Sequence, residues 1–125
     1  MTIKEVGEKY DISEDTLRYY EKIGLLPKIP RKNKIRNYDE KSCKWIEFIK
    51  CMRKSGLSIE SLTQYMSLYN EGRKTISQRK ELLIEQRNIL INKQKELIET
   101  IKRLDYKIKL YEEIENGKRK DFMEE

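Results

Sequence analysis

Ser13-Glu14-Asp15-Thr16-Leu17-Arg18-Tyr19-Tyr20-Glu21-Lys22-Ile23-Gly24-Leu25-Leu26-Pro27 reads as a helix with both ends marked. Ser13 is a good N-cap, because its hydroxyl can accept one of the free amides of the first turn. Glu14 and Asp15 then place negative charge at the positive end of the helix dipole. Gly24 suits the left-handed residue that closes a helix, and Pro27 rules out an easy continuation. Leu17 marks the core side, which leaves Thr16, Arg18 and Tyr19 on a face the core does not need. Immediately upstream, Thr2 and Glu5 form a capping-box pair ahead of Ile3, Val6 and Tyr10, so a first short helix precedes. Asp11 and Ile12 form a brief turn between the two.

Downstream, residues 27–38 carry little helical pattern and read as a loop. From Lys22 to Tyr38 the basic residues are Lys22, Lys28, Arg31, Lys32, Lys34 and Arg36, with no acid after Glu21. This local imbalance says more than the global net charge of +6, because elsewhere the acids are interleaved. Two short helices across a tight turn, followed by a basic loop, describe a winged helix-turn-helix. Arginine can pair bidentately with guanine or phosphate, and Thr and Tyr hydroxyls suit phosphate oxygens. Thr16, Arg18 and Tyr19 are therefore the expected helix contacts. Arg31, Lys32, Lys34 and Arg36 would reach the DNA backbone or the adjacent minor groove. The plain alternative for this segment is a solvated basic loop.

Asp39 caps a third helix whose apolar stripe is Trp45, Phe48, Ile49 and Met52, and Gly56 ends it. Ser58 caps a fourth helix, with Leu57 and Leu62 in the hydrophobic-staple arrangement, running to about Asn70. From Arg73 to Asn116 there is neither Gly nor Pro, and Ile76, Leu83, Leu90, Leu97, Leu104 and Tyr111 recur every seventh residue. Ile101 and Ile108 fill the companion position late in this stretch, where Arg87 and Gln94 stand earlier. A sustained heptad seam indicates a coiled coil. At 1.5 Å per residue the helix would be roughly 65 Å long, and a second copy of itself is the simplest partner for its stripe. The expected fold is thus all-α in the main. Residues 1–71 would form the winged helix-turn-helix domain with two further helices, and 73–116 a dimerisation helix in an antiparallel coiled coil. Residues 117–125, with isolated Phe122 and Met123, would be a flexible tail.

Composition bounds the function. The 125 residues include 28 basic and 22 acidic ones, with 40% charged in all, a mean hydropathy of −0.90 and a sequence pI near 9.2. Such a balance favours a polyanionic partner, although ribosomal and membrane-surface proteins share it. Met1 to Tyr10 holds no apolar run, so no signal peptide is expected there, and no stretch approaches a membrane span. Cys43 and Cys51 fall about 12 Å apart along one helix, too far to bridge. Reduced thiols in a cytoplasmic protein are the expectation. With no His, no glycine-rich phosphate loop and no nucleophile beside a recognisable base, an enzyme is not indicated, and neither a cofactor nor a metal is expected.

The run Thr16 to Pro27 resembles the signature of the MerR family of bacterial regulators. Arg36-Asn37-Tyr38-Asp39, the Trp45-to-Gly56 helix and Gly56-Leu57-Ser58-Ile59 follow in the family's order, so the resemblance covers Thr2 to about Ile114. It implies a homodimer on double-stranded promoter DNA whose −35 and −10 elements are too far apart. Activation then bends and untwists the spacer until RNA polymerase can engage both. Carried over residue by residue, the resemblance assigns helix contacts to Thr16, Arg18 and Tyr19 and wing contacts to Arg36 and Tyr38. One departure is visible: Lys34 stands two residues before the wing arginine, where family members often have Gly.

The segment Lys44 to Arg53 resembles the short branch of that family that responds to aldehydes and other electrophiles, and this implies that Cys51 is the sensor thiol. On a helical wheel Cys51 lies about 120° from the centre of the Trp45 stripe, on the flank of the core face. Lys50, Arg53 and Lys54 would favour its thiolate if they approach the sulfur. The plain alternative is a quiet packed thiol, and Cys43 has no assigned role. The lack of His and of any Cys after Cys51 argues against metal sensing, and the length leaves no room for a drug-binding domain. Two other readings stay open. One is a MerR-like repressor of nitrogen metabolism that answers to a partner protein through the tail. The other is a coiled-coil adaptor that does not bind DNA.

Overall fold

The computed structural model describes residues 1–118, which fall into two compact units, Met1–Gln86 and the residues from Arg87 onward. In chain order the elements are α1 (Ile3–Tyr10), α2 (Glu14–Lys22), β1 (Arg31–Lys32), β2 (Ile35–Arg36), α3 (Glu40–Lys54), α4 (Ile59–Asn70), a 3₁₀ turn (Arg73–Thr75) and α5 (Ile76–Glu115). The expected tail falls mostly on residues 119–125, including Phe122 and Met123, outside the described residues.

Each short helix starts where a side-chain acceptor can satisfy the first turn. Thr2 and Glu5 make both reciprocal bonds of a capping box, while Ser13, Asp39 and Ser58 accept from the amides of Thr16, Ser42 and Ser61. Such caps contribute about 1 kcal/mol apiece. The turn between α1 and α2 is built on the Gly7 carbonyl, which accepts from the amides of both Asp11 and Ile12. Asp11 sits in the left-handed region at φ 53°, a conformation that short polar residues tolerate. This geometry brings backbone against backbone. A Cβ on residue 7 would lie 2.8 Å from the Ile12 carbonyl oxygen, so only glycine fits.

The core of the first unit joins Val6 of α1 and Leu17 of α2 to Leu25, Leu26, Ile46 and Ile49, all essentially inaccessible. The centre of the α3 stripe differs from the sequence expectation. Ser42, Ile46 and Ile49 are buried, while Trp45, Phe48 and Met52 are only half-buried. Trp45 and Phe48 turn instead toward α4, where Trp45 meets Tyr69 edge-on at 4.8 Å and Phe48 meets Tyr65 at 5.7 Å. Two facing helices can absorb the large rings at the rim of their contact, leaving the tight central positions to smaller side chains. This rotates the buried face away from the ring-bearing stripe.

The loop expected over 27–38 contains a two-stranded antiparallel hairpin with Arg31 opposite Arg36 and Lys32 opposite Ile35. Its tip, Asn33-Lys34, takes positive φ at both residues, 54° and 67°, as a type I′ turn requires. Lys34 therefore takes a conformation that glycine suits best.

Where α4 meets α5, Thr75 donates to the carbonyls of Leu68 and Gly72, and Arg79 bonds to Thr75 and Gly72 while lying over the Tyr69 ring. At the far end of α5, Gly117 at φ 70° and the amides of Gly117 and Lys118 close a Schellman motif onto Ile114 and Glu113. Along α5 the heptad residues Ile76, Leu83, Leu97, Ile101, Leu104, Ile108 and Tyr111 are exposed, Leu97 at 62%, and Leu90 is half-buried. Ile84, Ile91 and Ile98, also seven apart, widen this stripe beside the polar Arg87 and Gln94. No helix among the described residues is long and apolar enough to cross a membrane.

Candidate nucleic-acid interface

Leu17 is fully buried, which turns Arg18 and Tyr19 outward on α2 and leaves Thr16 half-buried at its start. The Ser13 hydroxyl donates to Thr16 Oγ1 at 2.7 Å. Arg18 is exposed but not isolated, because it pairs with Asp15 at 3.0 Å and Glu14 at 3.6 Å one turn earlier. Exposed pairs of this kind contribute little, so a phosphate or guanine can displace them. On the wing, Arg31, Lys32 and Lys34 are exposed, and Arg31 also reaches the Lys34 carbonyl across the turn at 3.3 Å.

Arg36 is placed differently from its wing neighbours. Its side chain is 26% exposed, and its Nε donates to Oε1 of Glu21 at 2.7 Å, with Glu21 itself 12% exposed. Burial disfavours the Glu21 carboxylate, but the Arg36 bond, the Ile29 amide and the nearby Arg31 outweigh it and hold the carboxyl below its ordinary range. The same bond pushes the Arg36 guanidinium upward. Arg18, Glu21, Lys22, Lys28 and Arg36 line one open hollow together with Pro27. Arg18 and Lys22 of α2 thus stand beside Arg36 of the wing.

Tyr38 corrects the expectation of a wing contact. It is 1% exposed, and its hydroxyl has no hydrogen-bond partner among the described atoms. Burial pushes its phenol above the ordinary range. The ring belongs to the core beneath the wing, because the hairpin returns the chain inward toward Asp39. As folded, Tyr38 presents no exposed hydroxyl to a phosphate.

Cys51 is exposed. The shift of the buried α3 face to Ser42, Ile46 and Ile49 puts it about 170° from the core centre, rather than on the flank. Two of the three expected cations are engaged elsewhere. Lys50 donates to the Tyr10 carbonyl, and Arg53 donates to the Leu57 carbonyl at 2.8 Å. Cys43 is half-buried beside Tyr10, whose hydroxyl donates to Glu47 at 3.0 Å. Burial first, then hydrogen bonding with Glu47 and Cys43, drives the Tyr10 phenol well above its usual range. Among the described residues, no group of three or more His, Cys, Asp or Glu is placed to hold a metal.

Two residues of consequence escaped the sequence reading. Glu21 was visible only as the last acid before the basic run, with nothing to show which cation it meets. Ile46 lay inside the α3 pattern but off the stripe drawn through the aromatic residues.

Comparison with known proteins agrees with this architecture. Residues 1–68 match the model of the MerR HTH family regulatory proteins, and residues 44–106 match the MerR DNA-binding model. The chain is 53% identical over 92 residues to the HTH-type transcriptional regulator AdhR of Bacillus subtilis, covering 73% of this chain and 66% of AdhR, just under two thirds of that relative's length. A MerR family regulator structure from Listeria monocytogenes superposes with a TM-score of 0.86 at 44% identity, covering 90% of this chain and 86% of that one. HiNmlR, described as a MerR family regulator lacking the sensor domain and solved bound to promoter DNA, superposes at 0.83 with 28% identity over 92% of each chain. The protein belongs to the MerR family of helix-turn-helix regulators.

Proposed function

We propose that the chain binds promoter DNA as a homodimer and regulates transcription from it. The observation that carries this reading is the exposed pair Arg18 and Tyr19, with half-buried Thr16 at the helix start, beside a wing whose Arg31, Lys32 and Lys34 are exposed with no acid among them. In this arrangement α2 enters the major groove, and the wing cations neutralise phosphates. The open heptad stripe of α5 supports a coiled coil with a second copy, taken as antiparallel in line with the family resemblance, which would fix the spacing of the two recognition helices. Spacer distortion between the −35 and −10 elements, read by RNA polymerase, is the mode of activation that the family resemblance suggests.

Cys51 is the proposed sensor. Its thiolate adds to an aldehyde carbonyl carbon, the C–S bond forms as the C=O π bond opens, and the resulting alkoxide takes a proton from water to give a hemithioacetal. Exposure supports this reading more than local charge does, since Lys50 and Arg53 are held by carbonyls.

Two measurements test the two parts. Binding to the chain's own upstream DNA should weaken steeply with salt, as counterion release requires; a flat response would sink the DNA-binding reading. A promoter reporter comparing wild type with Cys51→Ser under formaldehyde or methylglyoxal should show induction only in the wild type. Normal induction of the variant would remove Cys51 as sensor and leave DNA binding standing.

A further inference from the structure

We infer that Glu21 is the positioning residue of the wing, a latch that holds Arg36 as a strut and withholds it from the DNA. The inference rests on the DNA-binding reading above. Glu21 stands in the last turn of α2 and uses both carboxylate oxygens. Oε1 accepts from Arg36 Nε of β2 at 2.7 Å, and Oε2 accepts from the amide of Ile29 at 3.1 Å. One side chain therefore ties the recognition helix to the chain entering the wing and to its second strand. Ile29 is 1% exposed, and the Asn37 amide donates to the Pro30 carbonyl at 2.7 Å, closing the base of the hairpin beside these contacts.

The hairpin register makes the acid necessary. Arg31 lies directly opposite Arg36, and like charges in that relation repel. Glu21 offsets the charge of the inner arginine and leaves the outer one exposed. A two-residue ladder is too short to fix its own angle against a helix, so the bond to α2 sets where Arg31, Lys32 and Lys34 stand relative to Tyr19 and Arg18.

Electrostatics alone and the latch predict opposite signs for one substitution. Removing an acid from a DNA-binding face should strengthen binding if Glu21 is only a charge. Glu21→Ala should instead weaken binding to the upstream DNA, on the order of tenfold, as expected for a coupled pair. Arg36→Ala should weaken it by a similar factor with the salt slope unchanged, and the double variant should be no worse than either single one. A phosphate-contacting Arg36 would lower the slope by about one, and tighter binding by Glu21→Ala would likewise overturn the latch.

Amide hydrogen exchange on the DNA-free protein supplies an independent arm. In Glu21→Ala, and more mildly in Glu21→Gln, the Ile29 and Asn37 amides should lose protection while the α3 amides keep theirs. Wild-type protection at both positions in Glu21→Gln refutes the latch even if the protein proves not to bind DNA. Loss of protection confined to them upholds it in that same case.

Discussion

Gly7→Ala sets two effects against each other. By helix propensity the change should help, because Ala is favoured over Gly inside a helix by about 1 kcal/mol. The structure argues otherwise. The new Cβ would meet the Ile12 carbonyl oxygen at 2.8 Å, and that oxygen is backbone, held in place because the amides of Asp11 and Ile12 both bond to Gly7's own carbonyl. Relief requires the turn to open by several tenths of an ångström, loosening those two bonds. Overpacking against a constrained neighbour costs about 1–3 kcal/mol, and with no flexible side chain to yield the upper half of that range applies. The net expectation is a loss of about 1–2 kcal/mol. Urea unfolding at fixed protein concentration, followed by the fluorescence of Trp45, the sole tryptophan, reports on the unit that contains the turn. The midpoint should fall with the slope unchanged. A midpoint equal to or above wild type would mean that the α1–α2 turn is not packed backbone on backbone.

Tyr38→Phe should leave DNA affinity unchanged and raise stability, since an unpartnered buried hydroxyl costs about 1–3 kcal/mol; a drop in affinity at unchanged stability would return Tyr38 to the interface. Lys34→Gly should stabilise the wing slightly, by about 0.5–1 kcal/mol, because relief of a left-handed L-residue exceeds the entropy lost by glycine. If Lys34 touches a phosphate, the same variant lowers the salt slope of binding by about one. Leu104→Lys places a charge in the open α5 stripe and should shift the protein from dimer to monomer in sedimentation equilibrium. A monomeric wild type would reject the homodimer.

Helix positions were legible because their signals are local. Thr2, Ser13, Asp39 and Ser58 each cap the helix they precede, and Gly24, Gly56 and Gly72 follow the helices they end with positive φ. A hydroxyl or carboxylate three residues ahead of an amide needs no distant partner, so its meaning survives in one dimension. The heptads of α5 were legible for the same reason, since one helix carries the whole pattern. The basic wing could be located by charge, but its pairing could not, because a two-residue ladder leaves almost no alternation to read.

Sequence alone therefore determined the order of the helices, their ends, the acid-free wing and the stripe on α5, all properties of residues within a turn or two of each other. Tertiary structure decided which side chains are free to act. Tyr38 and Arg36 sit two residues apart in a basic segment, yet one is sealed in the core and the other bound to Glu21, fifteen residues away. Cys51 likewise became exposed only when α3 packed through Ser42, Ile46 and Ile49. Burial and pairing are relations between distant parts of the chain, and the cost of desolvating a charge or hydroxyl is set by whatever folds against it.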